Sequence, residues 1–232
     1  MRYVANVSFG KDSLAMLLLL IEKGYPLDEV VFYDHGKEFN AIYNLRDKIK
    51  PLLESKGIIF TELKPTKSFD YRMFDHVKRN GKKGYGWCGG RCRWGTGYKT
   101  SALDKHSKNA HIYVGIAVDE TIRLAKEYGK NKSFPLAEWN MTEADCLAYC
   151  YSKGYDWNEN GIELYSILSR VSCRICKNKN LRELKNIYIH LPELWQELRS
   201  IQARLPMPMK GEGKSVFELE ERFRREIDNV KD

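Results

Sequence analysis

An α/β fold is predicted, a mostly parallel sheet with helices on both faces and a helical C-terminal part, and three observations predict it. Strand-like and helix-like segments alternate over the first sixty residues, as in successive βαβ units. Beyond residue 119 the pattern turns helical. With 43% hydrophobic and 12% aromatic residues, the 232-residue chain can bury a core, which excludes global disorder. The longest unbroken apolar run, Leu14 to Ile21, is eight residues. A membrane crossing needs about 20, so no membrane partner is expected. The chain opens on MRYVANV without signal-peptide architecture, and a soluble cytoplasmic protein is expected.

In chain order, Arg2–Val7 reads as a short strand and Ser13–Lys23 as a leucine-rich helix. Glu29–Asp34 is a second strand, Phe39–Ser55 a helix and Ile58–Leu63 a third strand. Phe69–Lys78 has helical spacing, whereas Gly81 to Gly97 has neither period and reads as a long loop or insert. His111–Val118 is a fourth strand. Thr142 opens a helix on a capping-box-like TEAD, with Asp145 in the place of the usual Glu. Leu181–His190, Pro192–Arg204 and Val216–Val230 are three further helices, Pro192 suiting a first helical position. The expected division is an α/β core at 1–140 with a basic, cysteine-bearing insert near 80–98. A helical part at 141–205 and a linker with a last helix at 206–232 follow. That last helix is amphipathic and packs on the body or on a second copy in a homodimer.

Net charge is +8 and unevenly spread. From Lys64 to Lys108 there are twelve basic residues against Asp70, Asp75 and Asp104, so this stretch carries +9 and the rest of the chain is close to neutral. Such a field attracts phosphates of a nucleotide or a nucleic acid, although a solvated lysine-rich surface has the same composition.

The passage from first strand to first helix carries the chemistry. In SFGKDS, Ser8, Gly10 and Ser13 surround Lys11 and Asp12 where exposed amides and the positive helix end favour an anion. Gly10 lets the backbone approach a phosphate, Ser8 and Ser13 add hydroxyls, and Lys11 supplies a charge for a leaving pyrophosphate. Asp12 orients the loop or helps hold magnesium. A Walker A loop is excluded, because the one Gly-Lys-Ser, Gly213–Ser215, has Pro208 where the leading glycine belongs. A small-residue turn alone would read the same way without any ligand.

The motif resembles the SGGKDS loop of the PP-loop ATP pyrophosphatases, in the form found in the phosphoadenosine phosphosulfate reductase family. YDHGKEF (Tyr33–Phe39), VGIAVDETIR (Val114–Arg123), FPLAEWNMTEAD (Phe134–Asp145), SCRICKNKN (Ser172–Asn180) and LPELW (Leu191–Trp195) are similar to further family motifs in the same order. The resemblance implies a three-layer, Rossmann-like fold of the adenine nucleotide α-hydrolase type. It implies phosphates on Ser8, Phe9, Gly10, Lys11, Asp12 and Ser13, and adenine or ribose near Asp34 and Gly115. Arg123, and Arg170 ahead of the second cysteine pair, would face phosphate or sulfate. His35 and Glu38 flank the turn after the second strand, in reach of ribose or metal.

Six cysteines in such a chain argue for metal, redox chemistry or burial rather than disulfides. Cys88 and Cys92, with Cys173 and Cys176, form two close pairs suited to a four-thiolate site. Relatives carry a [4Fe–4S] cluster at these regions, and structural zinc is the alternative. Cys146 and Cys150 share one face of a helix and read as buried thiols.

Two departures separate the chain from the sulfonucleotide reductases. No cysteine follows Cys176 in the given sequence, and Ala117 stands where the family has an arginine. The expected activity is therefore attack of an oxygen nucleophile on the α-phosphorus of ATP, with magnesium and pyrophosphate release, followed by sulfur transfer from a donor protein. Tyr85, Trp87, Trp94 and Tyr98 among the cations suit a tRNA or DNA acceptor, as in DNA phosphorothioation enzymes. The same rings can instead pack the loop. The alternatives are a reductase acting on phosphoadenosine phosphosulfate or adenylyl sulfate (PAPS/APS) with a relocated thiol, and a non-catalytic nucleotide- or nucleic-acid-binding protein.

Overall fold

The structure, a computed structural model, describes residues 1–88 and 92–229, with the side chains of Arg93, Trp94 and Gly95 left undescribed. Arg91 and Val230, and the side-chain expectations for Arg93 and Trp94, thus lie outside the described residues. The chain forms two compact units that interleave along the sequence. The first comprises Met1–Asp34, Glu38–Lys64 and Tyr98–Glu163; the second comprises His35–Lys37, Pro65–Gly97 and Leu164–Asp232.

In the first unit β1 (Arg2–Asn6) leads to α1 (Lys11–Glu22), and β2 (Glu29–Tyr33) to α2 (Asn40–Ser55) and β3 (Ile59–Leu63). After α3 (Lys99–His106) come β4 (Ala110–Val114), the single turn α4 (Thr121–Leu124), the two-residue β5 (Lys132–Ser133) and the turn α5 (Pro135–Glu138). The helix α6 (Glu143–Ser152) and the hairpin β6 (Asn158–Glu159)–β7 (Ile162–Glu163) close the unit. Five parallel strands pair in the order β3-β2-β1-β4-β5, with Ala5 opposite Val30 and Tyr113. The EVVFY strand is buried at every position, the continuous apolar run of a parallel strand covered on both faces. Leu14–Leu20 of α1 is buried all round, because α6 packs over the face that the sheet leaves open. On α2, Ala41, Ile42, Leu45, Ile49 and Leu53 form the buried stripe of an amphipathic helix.

The start of α2 is capped from far along the chain. Glu159 accepts hydrogen bonds from the backbone N–H of Ala41 at 2.8 Å and of Asn40 at 3.3 Å, and from Asn40 Nδ2 at 3.1 Å. The hairpin that presents Glu159 turns on Asn160 (φ 53°) and Gly161 (φ 86°), the left-handed pair of a tight hairpin. Glu159→Ala orphans first-turn donors of α2 and is expected to cost about 1–2 kcal/mol in urea unfolding at unchanged slope.

The second unit carries α7 (Leu164–Ile167), α8 (Leu181–His190), α9 (Pro192–Arg204) and α10 (Val216–Asp228). Capping boxes at Asn180/Glu183 and Ser215/Glu218 start α8 and α10, and Pro192 opens α9. Tyr188, Trp195 and Phe223 interlock with ring centroids 5.3–6.1 Å apart, so α10 packs on α8 and α9. Residues 206–215 are pinned by buried Gln202. Its amide donates to the carbonyls of Leu205 and Met207, and its carbonyl accepts from Met209 and Val216 N–H.

β1, β2, β3, α1, α2, α8 and α9 fall within two residues of their expected bounds, and α6 starts where Thr142 was expected to open it, whereas β5 was not foreseen. The expected helix over Phe69–Lys78 forms but is shorter. Residues 69–75 are helical, the part Tyr71–Asp75 wide enough that His76 N–H reaches back to Tyr71 C=O, and Val77 then pairs antiparallel with Lys83. The Asn80-Gly81 dipeptide inside that bridge is the overlooked signal. β4 stops at Val114 rather than continuing to Val118, because the chain turns there through Ile116 N–H to Val114 C=O. Helix α3 went unread because it buries no side chain fully and so has no apolar stripe. Among the described residues no helix is long and apolar enough to cross a membrane.

Candidate functional site

β1 pairs with β2 on one side and β4 on the other, so the loop after β1 lies at the sheet's switch point, where open α/β sheets bind ligands. Ser8 N–H donates to Ser13 Oγ at 3.1 Å, the two hydroxyls lie 3.1 Å apart, and Ser13 Oγ donates to Gly10 C=O. The two serines thus close the loop as a ring. Gly10 is the N-cap of α1 with extended backbone and, being glycine, offers no side chain to cap the helix. The first-turn amides of Lys11, Asp12 and Ser13 have no acceptor within the helix, which is the geometry of an anion site.

Phe9 adopts φ 57°, the left-handed region, although it is bulky and fully buried. For such a residue the conformation costs of order 1–3 kcal/mol and persists only where its surroundings enforce it. Phe9 stacks edge-on against Phe32 at 5.3 Å, and its carbonyl accepts from Trp157 Nε1 at 2.7 Å. One residue into the helix, Cys150 Sγ donates to Lys11 C=O at 3.5 Å. Gly115, just past β4, fits against the same loop: a Cβ there would sit 2.9 Å from Ser13 Cα. Only glycine allows that approach.

Charges gather at the start of α1. Lys11 Nζ lies 3.0 Å from Asp12 Oδ1 and 3.2 Å from Glu143 Oε1. Oxygens of Asp12, Glu120 and Glu143 lie within 4.8 Å of one another, and among the described residues this is the group placed to hold a metal ion. Arg123 Nη1 meets both oxygens of Glu120, at 2.6 and 2.7 Å. Three carboxylates against Lys11 and Arg123 leave a net negative cluster. Burial pushes the Asp12 carboxyl up, the Lys11 ammonium pulls it down, and the charges of Glu143 and Glu120 push it up again. Glu143 is the first residue of α6, held there by the Thr142/Asp145 capping box.

Asp34 follows β2. Its N–H donates to Leu63 C=O, and its carboxylate accepts from Tyr43 Oη at 2.8 Å; burial, and then this bond, raise the tyrosine pKa. Glu38 is buried in the same unit, and its charge partly offsets the burial that lowers the Lys99 pKa. His35 belongs to the second unit, where its Nδ1 accepts from Lys37 N–H. Ser8–Ser13, Gly115 and Arg123 therefore come together in the first unit, joined by Glu120 and Glu143, two carboxylates that the reading of the sequence passed over. Both stood inside quoted motifs, VGIAVDETIR and FPLAEWNMTEAD; Trp157, also missed, stood in none.

Arg170, Cys88, Cys92, Cys173 and Cys176 all belong to the second unit. The four thiols are half-buried and none forms a disulfide with a described residue. Cys176 N–H turns back to Cys173 C=O at 3.1 Å. Arg174 between them donates its N–H to Lys37 C=O and its guanidinium to Glu197, which also pairs with Lys37. From the other side Lys210 Nζ donates to the carbonyls of Lys177 and Lys179, at 2.7 and 2.8 Å. The turn is thus clamped by charged groups on both flanks. Cys146 and Cys150, by contrast, are fully buried in α6, and burial holds both thiols protonated, that of Cys150 pushed up to about 12.

The phosphoadenosine phosphosulfate reductase domain matches residues 2–159, the first unit with the insert that carries Cys88 and Cys92. Among solved structures, the U34-tRNA thiolase NcsA from Methanococcus maripaludis with its [4Fe–4S] cluster is similar over 98% of this chain and 72% of that one. The identity is 13% and the TM-score 0.47. No curated protein matches the chain.

Proposed function

From the premise that the chain belongs to the phosphoadenosine phosphosulfate reductase domain family, which the match over residues 2–159 establishes, we propose that it is an ATP-dependent adenylating enzyme of sulfur transfer. The observation that carries the reading is the juxtaposition, at the end of β1, of an anion-binding helix start with three metal-ligating carboxylates and a lysine. A helix start alone suits any anion. Carboxylates beside it repel a bare phosphate and suit one that arrives with a divalent cation.

In this reading the hydroxyls of Ser8 and Ser13 and the amides from Phe9 to Ser13 bind the phosphates. Asp12, Glu120 and Glu143 would hold magnesium, which when bound neutralises the triphosphate. Lys11 turns from the carboxylates to the β- and γ-phosphates, and Arg123 faces a phosphate from its place against Glu120. Gly115 and Asp34 border the nucleoside. An oxygen of the acceptor attacks the α-phosphorus, the bond from that phosphorus to the bridging oxygen breaks, and pyrophosphate departs with the electron pair. Sulfide-level sulfur from a donor protein then attacks the adenylated atom of the acceptor, a nucleic acid or a small molecule. The bond from that atom to the AMP-bearing oxygen breaks, and AMP leaves with the electron pair.

The second part of the proposal concerns Cys88, Cys92, Cys173 and Cys176. Among the described residues the structure groups no three of these thiols at ligand distance, but thiols as a donor type suit a soft metal centre, a [4Fe–4S] cluster with zinc as the alternative. Anaerobic purification with iron, sulfide and zinc analysis tests it. About four irons per chain are expected, lost in Cys173→Ser and retained in Cys146→Ser, whose thiol is buried away from any ligand role. One zinc would make the thiols structural, and neither metal would overturn this part.

A further inference from the structure

We propose that the short hairpin Val77–Lys83 is a finger that grips the phosphodiester backbone of a nucleic acid. The reading deepens the nucleic-acid acceptor proposed above and rests on it. VKRNGKK places Lys78, Arg79, Lys82 and Lys83 within six residues on a reversing chain. Arg79, Lys82 and Lys83 are exposed and Lys78 is half-buried. Among the described residues none of the four has a carboxylate partner, whereas Lys37, Arg46, Lys50, Lys132, Lys153, Arg174 and Lys185 all do. Unpaired cations crowded at a tip repel one another, and a polyanion relieves that repulsion.

The finger is also held in shape. Val77 bridges Lys83, Lys78 N–H donates to Lys82 C=O at 2.9 Å, Gly81 N–H to Lys78 C=O at 2.9 Å, and Lys82 N–H to Asn80 Oδ1 at 3.2 Å. At its root Gly84 N–H donates to His76 C=O, and Gly84 presses so close to the Met73–Phe74 backbone that a Cβ would lie 2.8 Å from Phe74 C=O. His76 stacks on Tyr85 at 4.9 Å and 19°, with the Lys78 ammonium 5.9 Å from the same ring. Tyr85, which from sequence suited a stacking base, is thus engaged by the finger's own root.

Shape and composition select the partner. A single nucleotide needs a concave cradle, while a short hairpin with four cations, three of them exposed, suits a chain of phosphates spaced along a groove. An anionic membrane would also meet the charge, but interfacial binding adds an apolar face, and Arg79-Asn80-Gly81 at the tip has none.

The test is fluorescence anisotropy of a labelled RNA stem-loop, and of the DNA hairpin of the same sequence, across a series of KCl concentrations without ATP. Replacing Lys78, Arg79, Lys82 and Lys83 together by Gln should lower the slope of log K against log salt by about 3–4 and weaken low-salt binding about a hundredfold. Replacing exposed Lys56, Lys108, Lys126 and Lys130 by Gln changes net charge equally and should leave affinity within about twofold. Tighter binding of RNA or of DNA assigns the source of the phosphates, and either supports the finger. Equal losses in the two variants, no loss in the first, or wild-type binding only to phosphatidylserine vesicles would overturn it. Because this binding is read without ATP, nucleic-acid binding here together with no pyrophosphate release in a separate assay with ATP and magnesium would sink the catalytic reading alone.

Discussion

Lys11→Met is expected to lower ATP-dependent pyrophosphate release by about 10²–10³-fold, the loss typical of removing one preorganised group that meets developing charge. Lys11 opens α1 and is held between Asp12 and Glu143, so its ammonium already stands at the phosphate end of the helix. The substitution also leaves three carboxylates within 4.8 Å of one another without their nearest cation. The variant should therefore melt lower without magnesium and gain more from its addition than the wild type does, since a ligand that binds only the folded state stabilises it. Unaltered pyrophosphate release, or a melting temperature indifferent to magnesium in both proteins, would contradict this assignment.

Trp157→Ala is expected to destabilise the protein by about 3–5 kcal/mol, the range for deleting a fully buried aromatic ring. Trp157→Phe separates packing from the hydrogen bond. It keeps most of the ring's apolar contact but leaves the Phe9 carbonyl without its indole donor, at a cost of about 1–3 kcal/mol. That carbonyl belongs to the one peptide of the loop in a left-handed conformation. The Phe variant should therefore weaken nucleotide binding at a temperature where it is fully folded. Wild-type nucleotide affinity in folded Trp157→Phe would mean that the ring only fills space.

What the sequence disclosed follows from what local patterns encode. The sheet, α1 and α2 were legible because their apolar residues repeat at strand or helix period, and α8 and α9 because caps and Pro192 mark their ends. The SFGKDS loop was legible because its residue types are needed at consecutive positions. Glu143 was not singled out because what makes it a partner of Asp12, 131 positions earlier, is the packing of α6 on α1, and Glu120 joins them from the turn ahead of α4. Glu159 and Trp157 escaped for the same reason: one caps α2 and the other anchors Phe9 from a hairpin more than a hundred residues away. Neither contact leaves any periodic trace. The grouping of 65–97 with the C-terminal helices is likewise a matter of tertiary packing. The helix expected at Phe69–Lys78 stops at Asp75 because the pairing of Val77 with Lys83 takes the chain that would continue it.

The most direct measurement of the central claim is calorimetric titration of the wild-type protein with ATP, AMP and phosphoadenosine phosphosulfate, each with and without magnesium. The account predicts that ATP binds most tightly, that its binding depends on magnesium, and that Glu143→Gln together with Glu120→Gln removes most of that dependence. Equal affinity for AMP and ATP, or preference for the sulfonucleotide without any need for magnesium, would contradict it. The latter result would return the protein to the sulfonucleotide-reducing branch of its family.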